Sequence, residues 1–186
     1  GTGSGRAVLF DLDGNEIAIG QQEWSHISEA GVASSMAFDC QANWQLLCRC
    51  IQSALASAGI RGDQVAAVSA TSMREGIVLY DCDGNELWAV ANVDARADRQ
   101  VRDLKQRFSG IEEQFYQQSG QTFALGALPR LLWVKENQPA IYERVAKISM
   151  LSDWVLAKLS DNIATDPSNG GTTGIFSLAD RQWQPQ

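Results

Sequence analysis

Four short stretches carry residue types and spacings that could do chemistry. The first is G-T-G-S-G-R at 1–6, which sets small hydroxyl residues among glycines just ahead of an apolar run. Backbone N–H groups and the hydroxyls of Thr2 and Ser4 could converge on a phosphate oxygen there, with Gly3 leaving the approach open. As a bare pattern it also suits a flexible terminal linker. The second and third stretches are the adjacent Arg74 and Glu75 and the pair Asp94 and Arg96. A neighbouring cation and carboxylate can hold a polyol by donating to one hydroxyl and accepting from the next, and a nearby Asp helps orient it. Exposed ion pairs are the plain alternative.

The fourth is an internal echo, F-D-L-D-G-N-E-I at 10–17 and Y-D-C-D-G-N-E-L at 80–87. As the start of a calcium loop it has its Gly too early, and Gln22 and Asn92 stand where the closing Glu is needed. An apolar run into Asp-x-Asp-Gly also resembles the nucleophile motif of haloacid-dehalogenase-like phosphatases, with Asp11 attacking phosphorus and Asp13 handling the leaving-group proton. Asn15 departs from that motif, and one active site does not need its nucleophile loop twice. The third reading is two hairpin turns in which Asp and Asn tolerate a tight backbone.

These tips need elements behind them. Residues 6–11 and 17–24 read as a hairpin. Asp39 can cap a helix whose apolar positions Trp44, Leu47, Cys48, Ile51, Leu55 and Ala58 recur at helical spacing until Gly59 stops it. Residues 65–70 are nearly all apolar and predict a buried central strand, with the polar cluster 71–76 at its end. A second hairpin follows at 77–80 and 87–91, then helical stretches at 95–108 and 112–137, the latter broken at Gly120 and Gly126. Pro139 opens a further helix, 147–151 suits a strand and 153–159 a helix. The tail reaches a last strand at 175–178. Its run 166–174 is either a ligand-contacting loop or a turn into an edge strand. Trp133, Tyr142 and Trp154 suit the core. Hairpins followed by alternating helices and strands predict an α/β domain, a mixed β-sheet flanked by helices.

Composition narrows the partners. A chain of 186 residues makes one ordinary domain. With 15 basic and 22 acidic residues and a formal charge of -7, it offers no general affinity for nucleic acid or for anionic membrane. No apolar run reaches the roughly 18 residues of a membrane span, and no charged-then-apolar leader opens the chain. Cys40, Cys48, Cys50 and Cys82 form no C-x-x-C pair and read as reduced, which predicts a cytoplasmic protein. His26 is the one histidine, so a zinc site lacks ligands.

Taken in order, the segments resemble the amino-terminal domain of an FGGY-family carbohydrate kinase. The opening G-T-G-S-x-R resembles its first phosphate loop, S-M-R-E-G at 72–76 its sugar-contacting segment, and D-A-R at 94–96 its Asp-x-Arg turn. The run 129–136 resembles the family signature, with Arg130 in place of its Lys, while 152–154 and 164–174 resemble its late-domain helix and Thr-Asp strand. The resemblance implies a ribonuclease-H-like (actin/hexokinase-type) domain over 1–186, incomplete at both ends, and an ATP-binding second domain outside it. It implies ATP and Mg2+ as cofactors and phosphorylation of the terminal hydroxyl of a small linear polyol or sugar, most closely a linear dihydroxypentanedione, with glycerol or a pentulose as alternatives. Arg74, Glu75, Asp94 and Arg96 would bind the acceptor, and Thr2, Gly3 and Ser4 would face phosphate. The catalytic base is expected beyond Gln186, no metal ligand is expected within the chain, and these residues alone are expected to be inactive. A homodimer is compatible with the resemblance. Two rivals stay open, the phosphatase using Asp11 and Asp13 and a non-catalytic sugar-binding regulatory module.

Overall fold

The computed structural model describes residues 3–184. Strand β1 (Ser4–Phe10) and strand β2 (Glu16–Glu23) form an antiparallel hairpin. Helix α1 (Cys40–Ala58) packs across it and is capped as expected: Asp39 accepts from the Ala42 N–H at 2.8 Å, and Gly59 closes the last turn in the left-handed region. The packing is close. A Cβ at Gly20 would meet the Cys50 carbonyl oxygen at 1.9 Å, so only glycine admits α1 at this distance. The helix is therefore rotated from its expected face, with Leu46, Leu47, Cys50 and Ala54 buried and Trp44, Cys48, Ile51 and Leu55 half-buried along the flank.

The second sheet is built on β3 (Ile77–Tyr80), with β4 (Glu86–Val90) on one side and β5 (Lys147–Met150) on the other, both antiparallel to it. All four residues of β3 are buried. Side chains alternate across a strand, so Ile77 and Leu79 enter one cluster with Trp88, Val90, Trp133 and Val134, while Val78 and Tyr80 enter another with Phe38, Leu47, Leu151 and Trp154. The Tyr80 hydroxyl is satisfied by Ser149 Oγ at 2.8 Å. Helices α2 (Asp98–Arg107), α3 (Ile111–Ser119), α4 (Ala127–Asn137), the single-turn α5 (Pro139–Tyr142), α6 (Leu151–Ser160) and the short α7 (Pro167–Gly171) follow, with a small ladder of β6 (Phe176–Ser177) and β7 (Gln182–Trp183).

The α/β class is as expected, and two further details differ. Residues 65–70 are not a buried central strand: they carry no regular structure, with Val65 37% and Val68 63% exposed. Apolar composition favours a strand only where an edge is available to pair with, and no described strand pairs with this run. The central role falls to β3. Consequently every ladder among the described residues is antiparallel and the sheets stay separate, where a single mixed sheet was expected.

Candidate functional site

The sheet register brings the polar tips together. Ile77 pairs with Val90 across β3 and β4, and with Met150 across β3 and β5. The cluster 71–76 that enters β3, the segment 91–96 that leaves β4 and the start of α6 therefore emerge at one end of one sheet. Residues 36–38 run along the outer edge of β4, where the Ala91 N–H donates to the Met36 carbonyl at 2.9 Å and the Phe38 N–H to the Ala89 carbonyl at 3.1 Å.

Arg130, the fourth residue of α4, enters between these tips with 0% exposure. Its Nη1 donates to the Glu75 carbonyl. Its Nη2 donates to the carbonyls of Asp94 at 2.7 Å, Asn92 at 3.0 Å and Ala91 at 3.3 Å. Burial lowers this guanidinium to about 10, while the carboxylates of Asp94 and Glu75 push it up and Arg96 adds to the fall. Glu75 itself has φ +72°, which is unusual for a residue with a Cβ. Its half-buried carboxylate makes no hydrogen bond or ion pair among the described residues. Arg74 is exposed and donates from Nη1 to Gln121 Oε1 at 3.1 Å.

Asp94 and Arg96 sit one layer beneath. Their side chains have 0% exposure. The Asp94 carboxylate accepts from the Met36 N–H at 2.6 Å and from Arg96 Nε at 2.9 and 3.0 Å. Arg96 Nη2 reaches Glu29 at 2.8 Å, and its guanidinium lies against the stacked pair Trp88 and Trp133, 5.1 and 4.8 Å from their ring centroids. Burial would lower the Arg96 guanidinium, but its hydrogen bonds to Asp94 and Glu29 outweigh that and hold it above its ordinary value. Both oxygens of Asp94 are thus engaged inside the protein, and the pair ties the 91–96 segment to residues 29 and 36.

The other expected residues lie apart. Thr2 is outside the described residues. Gly3 and Ser4 stand at the start of β1, with Gly3 open to solvent and nothing within 4 Å of an added Cβ, which suits an approaching phosphate oxygen. Their hairpin joins the central sheet through edge-on aromatic contacts, Trp24 to Phe38 at 5.6 Å and Phe38 to Trp154 at 5.2 Å, and no described hydrogen bond or ion pair links them to Glu75 or Asp94. The echo forms two matching turns. Asp11 accepts from the Asp13 and Asn15 N–H groups and the Asn15 amide, and Asp81 accepts from Asp83 and Asn85 in the same way, with Gly14 and Gly84 both at φ +86°. The Asn15 amide holds the Asp11 carboxyl below its usual range, and Asn85 does so for Asp81. A carboxylate this engaged, in an exposed turn, is poorly placed as a nucleophile. The run 166–174 forms α7, capped by Asp166 and tied to Asp153 by the Asn169 amide at 2.9 Å, with Thr172 and Thr173 buried. All four cysteines are free thiols, and burial pushes those of Cys40 and Cys50 up. No group of three or more His, Cys, Asp or Glu among the described residues could hold a metal ion. No helix of the described residues is long and apolar enough to cross a membrane.

Sequence reasoning noticed Arg130 only as a departure from a family signature, and missed Glu29 and the Met36 N–H. A signal for Arg130 existed: one cation inside the apolar run 127–134, on the side that must face the core.

The profile of the FGGY family of carbohydrate kinases, N-terminal domain, matches residues 1–186. The chain is similar to the autoinducer-2 kinase of Escherichia coli (strain SMS-3-5 / SECEC), with 53% identity over 186 residues, 100% of this chain and 35% of that protein. The autoinducer-2 kinase of Salmonella typhimurium (strain LT2) is 53% identical over 185 residues, again 35% of its length. The chain thus spans about a third of these relatives. In fold it is similar to a gluconate kinase from Lactobacillus acidophilus, TM-score 0.86 at 22% identity, covering 98% of this chain and 36% of that one. A Plasmodium falciparum glycerol kinase structure with ADP gives TM-score 0.81 at 18% identity, covering 99% and 38%.

Proposed function

The chain belongs to the FGGY family of carbohydrate kinases, and from that premise we propose that residues 1–186 are the acceptor-binding side of a two-domain, ATP-dependent kinase for a small linear polyol or sugar. The acceptor of first choice is a linear dihydroxypentanedione, the precursor of autoinducer-2, on the strength of 53% identity to two autoinducer-2 kinases. The nucleotide-bearing domain lies outside these residues, in keeping with the 35% share of the relatives that the chain covers. The observation that carries the reading is the meeting of the 71–76 and 91–96 segments around Arg130, with an unengaged Glu75 carboxylate at the solvent side.

In this reading the Glu75 carboxylate accepts a hydrogen bond from one acceptor hydroxyl and the Arg74 guanidinium donates to a neighbouring oxygen, so the pair fixes which end of a short chain points away. Asp94 and Arg96 hold the 91–96 loop from beneath. Gly3 and Ser4, with Thr2 before them, face the transferred phosphate. ATP with Mg2+ is the proposed donor, supplying the phosphoryl group and its charge neutralisation, and the described residues offer no cluster to hold the metal. Phosphoryl transfer rests on positioning and charge stabilisation from both sides of the bound pair, so this chain alone should not turn over ATP. The protein is proposed to act in the cytoplasm, and a homodimer is compatible with the reading.

The test is ADP release by the full-length protein with dihydroxypentanedione, glycerol, xylulose and ribulose. Turnover with dihydroxypentanedione at the highest kcat/KM is expected. Activity with none of the four would refute the kinase reading, and preference for another would move the acceptor. Turnover by the 186-residue chain alone would refute its division into two sides.

A further inference from the structure

A buried arginine on α4 makes no ion pair among the described residues, yet it hydrogen-bonds to both loops of the proposed site. We infer that Arg130 is a positioning residue for the acceptor: by tying the carbonyls of Glu75, Ala91, Asn92 and Asp94 to one guanidinium, it holds Glu75 in its left-handed backbone conformation and so presents the Glu75 carboxylate to an acceptor hydroxyl. The inference rests on the reading that Glu75 binds the acceptor.

The geometry leaves little else for Arg130 to do. It lies at 0% exposure, donates to four main-chain oxygens and to no carboxylate. The donors come from α4, while the acceptors lie 55, 39, 38 and 36 residues away in sequence, on two segments that have no other described hydrogen bond between them. Nη2 has two hydrogens for three carbonyls, so at least one bond is shared, and the planar fork spreads donors over a gap that a single ammonium would span less completely. The bound carbonyl of Glu75 is the point where the backbone departs from ordinary dihedrals, with φ +72°. Such a conformation persists only where neighbours over-determine it. Arg130 fixes one end of the unit, and the following Gly76 fixes the other. Its carbonyl accepts from the Leu151 N–H at 3.2 Å, and a Cβ there would meet Leu151 Cδ1 at 2.5 Å. Both contacts lie just after the Glu75 Cα and fix the course of the chain that follows it, while the carboxylate itself stays unbonded among the described residues.

The experiment is steady-state kinetics of the full-length kinase carrying Arg130→Lys, Arg130→Met, Glu75→Gln and each Arg130 change combined with Glu75→Gln, with thermal melting of every variant. A positioning role predicts that Arg130→Lys raises the acceptor KM by about tenfold. The ATP KM should stay within about twofold and the melting temperature close to the parent. In the Glu75→Gln background the same change should add little, since both act through one carboxylate. A lower melting temperature with an unchanged acceptor KM would overturn the inference and leave Arg130 a packing residue. Equal and multiplicative effects in both backgrounds would also overturn it. If Arg130→Met does not fold, the Lys variant decides alone. Unchanged kinetics in Glu75→Gln would sink the acceptor reading and this inference with it. An impaired Glu75→Gln beside normal Arg130 variants would sink the inference only.

Discussion

Replacing Asp94 by asparagine takes one charge from a pair that has no water to fall back on. Arg96 has 0% side-chain exposure and is covered by Trp88 and Trp133. Asp94 supplies two of the hydrogen bonds to its Nε and accepts the Met36 N–H at 2.6 Å as well. An asparagine has one acceptor oxygen for these donors and turns an N–H2 toward the other, so a donor meets a donor. Breaking a buried pair costs about 3–5 kcal/mol, and Glu29, 2.8 Å from Arg96 Nη2 but 31% exposed, keeps the loss near the lower end, about 3 kcal/mol. With a urea slope of about 2 kcal/mol/M, the unfolding midpoint should fall by about 1.5 M. The assay is urea unfolding of the full-length protein followed by tryptophan emission, to which Trp88 and Trp133 beside Arg96 contribute with the chain's four other tryptophans. Asp94→Asn combined with Arg96→Met should recover part of the loss, because no uncompensated cation remains. A midpoint shift under about 0.4 M, or a double variant that simply sums two losses, would refute the idea that this buried pair braces the loop.

Gly20→Ala should destabilise the α1 packing by about 1–3 kcal/mol or more, since its Cβ would meet a main-chain oxygen at 1.9 Å, whereas Gly3→Ala should change stability by under about 0.5 kcal/mol. Comparing the two melting temperatures checks both. Asn85→Ala removes the first cause that holds the Asp81 carboxyl below its usual range. A carboxylate with a depressed native value contributes stability above the unfolded value of 3.8, and that contribution is lost as pH falls through the lower native value. The variant should therefore lose stability at pH 7 and match the parent more closely under strong acid; a loss that stays constant with pH refutes the assignment. Trp154→Phe keeps the aromatic contact but drops the Nε1 bond to Glu86 at 2.5 Å, and about 1 kcal/mol should be lost in urea unfolding.

Much of this chain is readable from neighbours in sequence. The paired Asp-x-Asp-Gly-Asn turns, the Asp39 cap and the Gly59 stop rest on contacts within about four residues, and local residue types determine those directly. The same locality explains why the two hairpins and the helix breaks at Gly120 and Gly126 were legible. It also explains the error at 65–70, where a strand-like composition says nothing about whether a partner edge lies alongside. Which face of α1 turns inward was decided by Gly20 reaching the Cys50 carbonyl, a contact 30 residues distant that leaves no trace in helical periodicity.

The candidate site divides along the same line. The residue types of Arg74, Glu75, Asp94 and Arg96 were evident in the chain, and so was the match of their surroundings to carbohydrate kinases. Their division of labour was not. Only the antiparallel register of β3 with β4 brings the two polar tips to one edge, and only packing shows that Asp94 and Arg96 face each other under two indole rings while Glu75 is left unbonded. Arg130 belongs wholly to this second category: a cation's type is written in the chain, but the four carbonyls it gathers from 36 to 55 residues away exist as a set only once the chain has folded around it.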